Sequence, residues 1–217
     1  MKKIYFLSPA FFLFFVFTAK AQINKGSVLL GGDINFFTQK TTGNGQANTL
    51  NGFSISPSIA TAVKNNFLLG GFVSINNYNE KNNPFYPFEE RKDNGWGTGL
   101  FARKYYPLDK GRFSLFLQGT LGYNYMKQFI NRGPDNASTT KTSTVNLNCS
   151  PGISFKISKK LQLETGLDQI LAIQYSHQQY DFSGIIPTHS TTNGFSLNSS
   201  ISGLSGLYFG LRVLINK

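Results

Sequence analysis

One short stretch of the sequence contains every residue type that nucleophilic catalysis needs. Residues 176–193 include His177, Asp181, His189 and Ser190. A serine activated by a histidine, which an aspartate orients, is a common arrangement for acyl transfer. These residues are also ordinary in polar loops, and no motif spacing ties them together. We therefore predict a solvated loop and no enzyme, with a hydrolase or acyltransferase at an outer rim as the less favoured alternative.

The sequence indicates neither a metal site nor a cofactor. Two histidines and the single cysteine, Cys149, do not make a set of zinc ligands. The glycines at 31–33 and 43–45 lack the spacing of a phosphate-binding loop. One cysteine also excludes an internal disulfide, so other interactions must hold the fold together.

The first residues have the layout of a secretory signal peptide. Lys2 and Lys3 precede an apolar run over 4–17, and Ala-Lys-Ala follows as a small-x-small cleavage signal. The apolar run is shorter than the roughly 20 residues that a membrane-spanning helix needs. We predict a signal peptide over 1–21 and a single domain over 22–217.

The net charge of the chain is +11. Without the three lysines of the predicted signal peptide, 18 basic residues remain against 10 acidic ones. The basic residues form no helical stripe and no patch interleaved with aromatic residues, as nucleic-acid binding would require. A nucleic-acid partner is therefore not expected.

Eight segments of the predicted domain alternate between apolar and polar residues with the period of a β-strand. No convincing helical period lies between them. Each segment meets or exceeds the roughly 9 to 11 residues with which a tilted strand crosses a bilayer. The segments are 27–37, 51–63, 67–78, 95–106, 112–126, 143–157, 161–175 and 194–215.

The connections between these segments alternate in length. Three are short turns, and the four between them are long and rich in Asn, Thr, Ser, Gly and Pro. An even number of strands with short turns at one end and long loops at the other is typical of outer-membrane barrels of Gram-negative bacteria. This pattern predicts an all-β, eight-stranded, antiparallel up-and-down transmembrane barrel with both termini in the periplasm. The short turns are 64–66, 107–111 and 158–160, and the predicted loops are 38–50, 79–94, 127–142 and 176–193.

The orientation of the strands follows from their polar faces. Residues 53–63 alternate Phe, Ile and Val with Ser54, Ser56 and Ser58. A water-soluble barrel would expose its polar face, which is commonly a quarter to a third charged. The polar faces here are almost uncharged, and only 14% of the chain is charged. We therefore predict that the serine face lines the interior and the apolar face contacts lipid.

A resemblance supports this prediction at 99–125, GLFARKYYPLDKGRFSLFLQGTLGYNY. With Arg103, the Tyr-Tyr-Pro that follows it and the spaced Gly119 and Gly122, this strand-turn-strand resembles the small outer-membrane β-barrel domain proteins described as porin family, OmpX-like or PorT-like. The resemblance implies an eight-stranded barrel inserted by the outer-membrane assembly machinery, without catalytic residues. Such chains usually end in an aromatic residue, whereas this one ends in Asn216 and Lys217.

The ionisable side chains predicted to point into the barrel are balanced in sign. Since the interior of an eight-stranded barrel is about wide enough for side chains to fill, we expect them to pair across it and to plug it towards the short turns. The predicted acidic members are Asp33, Glu164 and Asp168, and the basic members are Arg103, Lys156 and Arg212.

The predicted loop 79–94 is the best candidate for contact with a partner. It places Phe85, Tyr86 and Phe88 beside two prolines and a run of mixed charge, and exposed aromatic residues often anchor recognition. The alternative is a loop that folds back over the barrel mouth. The sequence thus predicts a monomeric structural, adhesive or surface-interaction barrel that contacts outer-membrane lipids and lipopolysaccharide, with a narrow pore or ligand conduit as the alternative.

Overall fold

The described residues of the chain form ten β-strands that belong to one antiparallel sheet. The computed structural model describes residues 23–43, 46–83, 88–108, 112–133, 136–167, 170–184, 186–199 and 207–215. The strands are β1 (Val28–Gly43), β2 (Gln46–Lys64), β3 (Phe67–Asn83), β4 (Phe88–Leu108), β5 (Phe113–Asn131), β6 (Ala137–Lys156), β7 (Leu161–Leu167), β8 (Leu171–Ser183), β9 (Thr188–Asn198) and β10 (Leu207–Ile215).

The sheet closes into a barrel with eight positions around its circumference. Strands β1 to β6 pair in chain order, and β6 then pairs with β7 near the short turns and with β8 above it. The next position of the ring is divided in the same way, because β10 pairs with β7 near the short turns and β9 pairs with β8 above it. The pairing of β10 with β1 closes the ring. The predicted eight-stranded antiparallel up-and-down barrel is confirmed, although 161–175 and 194–215 each contribute two strands instead of one.

A belt of exposed apolar side chains surrounds the barrel, because alternate residues of each strand point outwards. Ile59 is 57% exposed, and Leu100, Leu121 and Leu211 are exposed in the same way on their strands. Towards the long hairpins the belt is edged by Trp96, whose ring lies 5.5 Å from that of Tyr123. Among the described residues, no helix has the length and apolar character needed to span a bilayer.

The predicted long loops are largely strand, and the loop prediction was wrong in this respect. β1 and β2 pair up to Gly43 and Gln46, and β4 pairs with β5 up to Glu90 and Asn131. An antiparallel ladder satisfies its own backbone groups, so polar residues can extend a hairpin with water on both faces. On the extended part of β4, Lys92 Nζ lies 2.7 Å from Glu90 Oε2. The hydrogen bond from Lys92 lowers the pKa of the Glu90 carboxyl.

The short-turn end of the barrel is closed by the segment before β1. The Ile23 backbone N–H donates to Asn66 Oδ1 at 3.0 Å, and the Asn66 N–H donates to the Ile23 carbonyl at 2.9 Å. Asn66 adopts the left-handed conformation, with φ of 59°. Ile23 is fully buried against a core that includes Leu68, Tyr105 and Leu214. These apolar side chains fill the lumen at this end.

Candidate functional site

A buried carboxylate is at the centre of a cluster of polar groups above the apolar core. Glu164, on β7, is 0% exposed. Arg103, on β4, donates from Nη1 to both carboxylate oxygens at 2.9 and 2.7 Å. Arg212, on β10, donates from Nε to Oε2 at 3.1 Å, and the Tyr105 hydroxyl donates to Oε1 at 2.6 Å. Side chains from β4 and β10 therefore meet at a carboxylate on β7.

The two arginines of this cluster have further partners. Arg103 donates from Nε to Gln118 Oε1 at 2.8 Å, and its guanidinium lies 4.5 Å from the centre of the Phe116 ring. Arg212 donates from Nη1 to the Gly32 carbonyl at 2.8 Å and from Nη2 to Asp33 Oδ1 at 3.2 Å. The cluster thus holds two positive and two negative side chains.

This arrangement fits a structural role better than a chemical one. Buried charges are tolerated when they are paired and their remaining donors and acceptors are hydrogen-bonded. Glu164 accepts from three different side chains, and each arginine also has a partner outside the central carboxylate. The cluster therefore links β4, β7, β10 and β1 across the lumen.

The structure brings together some of the residues predicted to form a lumen network. Arg103, Glu164, Arg212 and Asp33 are joined by the contacts above. Lys156 is the ladder partner of the buried Gln162, and no carboxylate lies within 4.0 Å of it among the described residues. Asp168 lies outside the described residues.

Two groups of lumen residues were missed by the sequence analysis. Tyr105 was missed because the predicted set holds only side chains that are charged at neutral pH, although Tyr105 shares the strand face of Arg103, two residues away. Arg91 and Asp93 also point inwards and form an ion pair at 2.6 Å. They were missed because 79–94 was predicted as a loop, and inward orientation was assigned only within predicted strands.

Polar cavities lie above the charged cluster, so side chains do not fill the whole lumen. One cavity of about 300 Å³ is lined by the predicted inward serines Ser56, Ser58 and Ser150, together with Asn146 and Asn148. The Asn148 Oδ1 atom is buried without a hydrogen-bond partner among the described residues. A second cavity of about 520 Å³ adjoins the cluster and includes Arg103 and Arg212 in its lining. The polar strand faces thus line the interior, as predicted.

The residues that suggested nucleophilic catalysis do not converge. His189 Nδ1 lies 2.6 Å from Asp181 Oδ1, on neighbouring strands of the β8–β9 hairpin. Ser190 follows His189 in β9, so its side chain points to the opposite face of the hairpin. His177 contacts Asn193 at 2.8 Å instead. Among the described residues, no group of three His, Cys, Asp or Glu could hold a metal ion.

Residues 84–87 of the segment 79–94, which was predicted to contact a partner, lie outside what the structure describes. Phe85 and Tyr86 lie outside the described residues, and Phe88 is the first residue of β4. β3 and β4 extend as a paired ladder up to Asn83 and Phe88. Most of the segment 79–94 therefore belongs to an extended hairpin, and its contact with a partner stays a prediction.

Comparison with known proteins identifies similar solved structures but no family. No protein-family model matches the chain, and no curated protein matches it. The translocator domain of the autotransporter NalP from Neisseria meningitidis is 13% identical, with a TM-score of 0.49, over 80% of this chain and 60% of that one. Neisserial surface protein A (NspA) is 14% identical, with a TM-score of 0.42, over 87% of this chain and 97% of that one.

The chain spans only 60% of the length of the NalP translocator domain that it matches. Similarity at this level transfers no activity and no partner. The barrel described above rests on its own strand pairings, and membership of the OmpX-like or PorT-like proteins stays a prediction.

Proposed function

We propose that this protein is an integral β-barrel of the outer membrane, inserted by the outer-membrane assembly machinery, with both termini in the periplasm and no enzymatic activity. The belt of exposed apolar side chains around a closed barrel with a polar interior is the observation that carries this proposal. In a water-soluble barrel the apolar faces line the inside, whereas a membrane barrel has the reverse arrangement. Closure of the ring through the ladder of β1 with β10 over Val28–Gly32 supports the proposal as well, because a sheet with a free edge along its whole length would leave many more backbone groups unpaired in lipid.

The protein should fractionate with the outer membrane and migrate differently on gels before and after heating. The hydrogen-bonded ring resists detergent until heat opens it, so the unheated sample should run as a compact species. Extraction at high salt or alkaline pH serves as the control, because it removes peripheral proteins. Recovery in the soluble periplasmic fraction would contradict the proposal.

The proposed role at the cell surface is structural, adhesive or recognitive. The polar hairpins extend the wall beyond the belt and end in connections such as 84–87. The β3–β4 hairpin carries ion pairs of Glu90 with Lys81 and with Lys92. A surface with such charged side chains is suited to contact with water and with the charged groups of lipopolysaccharide. A monomer is sufficient for this role, because the ring closes within one chain.

A planar bilayer that contains the purified protein should show no steady conductance. The short-turn end is filled by the core around Ile23, and the cluster around Glu164 crosses the lumen above it. Both layers obstruct an aqueous path. The single-channel current should therefore equal that of protein-free bilayers, with a known porin as the positive control. Reproducible open channels would favour the narrow pore or ligand conduit instead.

A further inference from the structure

The ladder between the first and last strands of the ring ends within the apolar belt. Residues Val28 to Gly32 of β1 pair with Ile215 to Leu211 of β10. Both strands continue in the described chain, but 33–36 have no ladder partners among 207–210. The residues 207–210 remain paired with β7 on their other side. A seam therefore separates β1 from β10, and we define it by residues 33–36 and 207–210.

Specific residues stabilise the start of this seam. Gly32 has φ of 155°, and a Cβ there would lie 2.6 Å from the Ser56 carbonyl oxygen, so only glycine fits at this position of β1. The carbonyl of Gly32 accepts from Arg212 Nη1, which comes from the facing strand. At Gly31 a side chain would collide with Arg212. The side chain of Arg212 thus holds the end of the ladder by its hydrogen bond to Gly32, and the absence of a side chain at Gly31 leaves space for it.

A cavity of about 520 Å³ lies at the seam. On the inside it is lined by Asp33, Arg212 and Ser54, and its lining also includes Ile34 and Phe209. These last two side chains point out of the barrel and are 63% and 68% exposed. The lining of this cavity therefore combines residues of the polar lumen face with two residues whose side chains lie on the apolar outer face.

The polarity of the lining indicates what the cavity would accept. Arg103 and Arg212 are only 4% and 5% exposed and are engaged by Glu164 and their other partners, of which Asp33 is one. The Asp33 side chain is 48% exposed, so it is the accessible charge in the cavity. Asn35, Ser54 and Ser150 add amide and hydroxyl groups. This lining favours a head that donates hydrogen bonds to a carboxylate, and it disfavours an anion.

We propose that the seam binds a single-chain amphiphile with an uncharged, hydroxyl-bearing head. The head lies in the cavity beside Asp33, and the acyl chain leaves between Ile34 and Phe209 along the belt. The volume is within the usual range for small-molecule sites. The inference rests on the proposed membrane location of the barrel, since only there would an amphiphile reach the seam from the side.

Binding of radiolabelled 1-monooleoylglycerol to the full-length mature protein in detergent micelles tests this proposal. Oleoyl lysophosphatidic acid, with the same chain and an anionic head, is the comparison. Monooleoylglycerol should saturate one site and bind at least about tenfold more tightly, because Asp33 repels the phosphate. Absence of saturable binding, or equal affinity for the two amphiphiles, would overturn the proposal.

Variants distinguish the cavity from general adsorption of lipid. Ser54→Trp fills the cavity and should weaken monooleoylglycerol binding by about tenfold or more, and Ser150→Trp serves the same purpose if that variant fails to fold. Leu121→Trp adds an equally large side chain to the belt away from the seam and should leave binding unchanged. If the folded cavity variants bind as tightly as the unmodified protein, the seam is not the site.

A change of head-group preference is the sharpest readout. Asp33→Asn removes the accessible negative charge and turns the ion pair with Arg212 into a hydrogen bond to a neutral amide, so lysophosphatidic acid should gain about tenfold in affinity. An unchanged preference would contradict the role of Asp33. The heat-dependent gel shift is recorded for every sample. Its absence from the unmodified protein would count against the proposed barrel function, whereas a normal shift without binding counts against the seam alone.

Discussion

Replacing Glu164 with glutamine should lower the free energy of unfolding by about 3 to 5 kcal/mol. Glutamine keeps the size of the side chain but removes its negative charge, which leaves Arg103 and Arg212 facing each other across a buried site. Arg212 would retain Asp33, whereas Arg103 would retain only uncharged partners, Gln118 and Tyr105. Equilibrium unfolding in urea, with the protein folded into lipid vesicles, measures the change.

Asp181→Asn is the matched control for this substitution. Asp181 also pairs with a basic group, His189, but both side chains are exposed. An exposed pair contributes about 0 to 1 kcal/mol, so this variant should unfold close to the unmodified protein. The cluster would have no special role in stability if Glu164→Gln cost no more than the control. Arg103→Ala should be comparable in cost to Glu164→Gln, because it leaves the same carboxylate short of donors.

Strand orientation could be predicted from the sequence because the period of a strand assigns every side chain to a face. Once Ser54 and Ser56 were placed inwards, Arg103, Glu164 and Arg212 followed from the same alternation on their own strands. What alternation does not give is the height of each residue along the barrel. That height depends on the stagger between neighbours, such as Gly31 beside Arg212, and on where the turns lie.

The extended hairpins and the seam between β1 and β10 could not be predicted, because they depend on contacts between residues far apart in the sequence. The hairpins continue as ladders with polar pairs such as Asp93 with Gln128 and Asn94 with Lys127, where the regular alternation of apolar and polar residues stops. The seam depends on an unusual φ at Gly32 and on a guanidinium from the other end of the chain. A glycine pair at 31–32 is compatible with a turn, a bulge or close packing, so the residue types alone did not reveal a gap between strands.

Arginine on the belt should be costly in proportion to its depth in the bilayer. Ile59→Arg should destabilise the folded barrel by about 2 to 4 kcal/mol, since Ile59 lies near the middle of the belt and points at lipid. Leu117→Arg should cost less. Its ladder partner on β4 is Lys104, so a charged side chain already reaches towards water at that level of the wall. Unfolding in lipid vesicles gives both values.

Ser56→Arg is the control that separates the two faces of β2. Ser56 lines the lumen cavity, and Asp33 is its direct ladder partner on β1. The new guanidinium would therefore enter a polar space beside a half-exposed carboxylate, where an opposite charge lowers its cost. The expected penalty is smaller than that of Ile59→Arg by at least about 1 kcal/mol. Arginine is costly on a face that contacts lipid and tolerated on a face that contacts water. Equal penalties at positions 56 and 59 would therefore mean that lipid does not cover the apolar face.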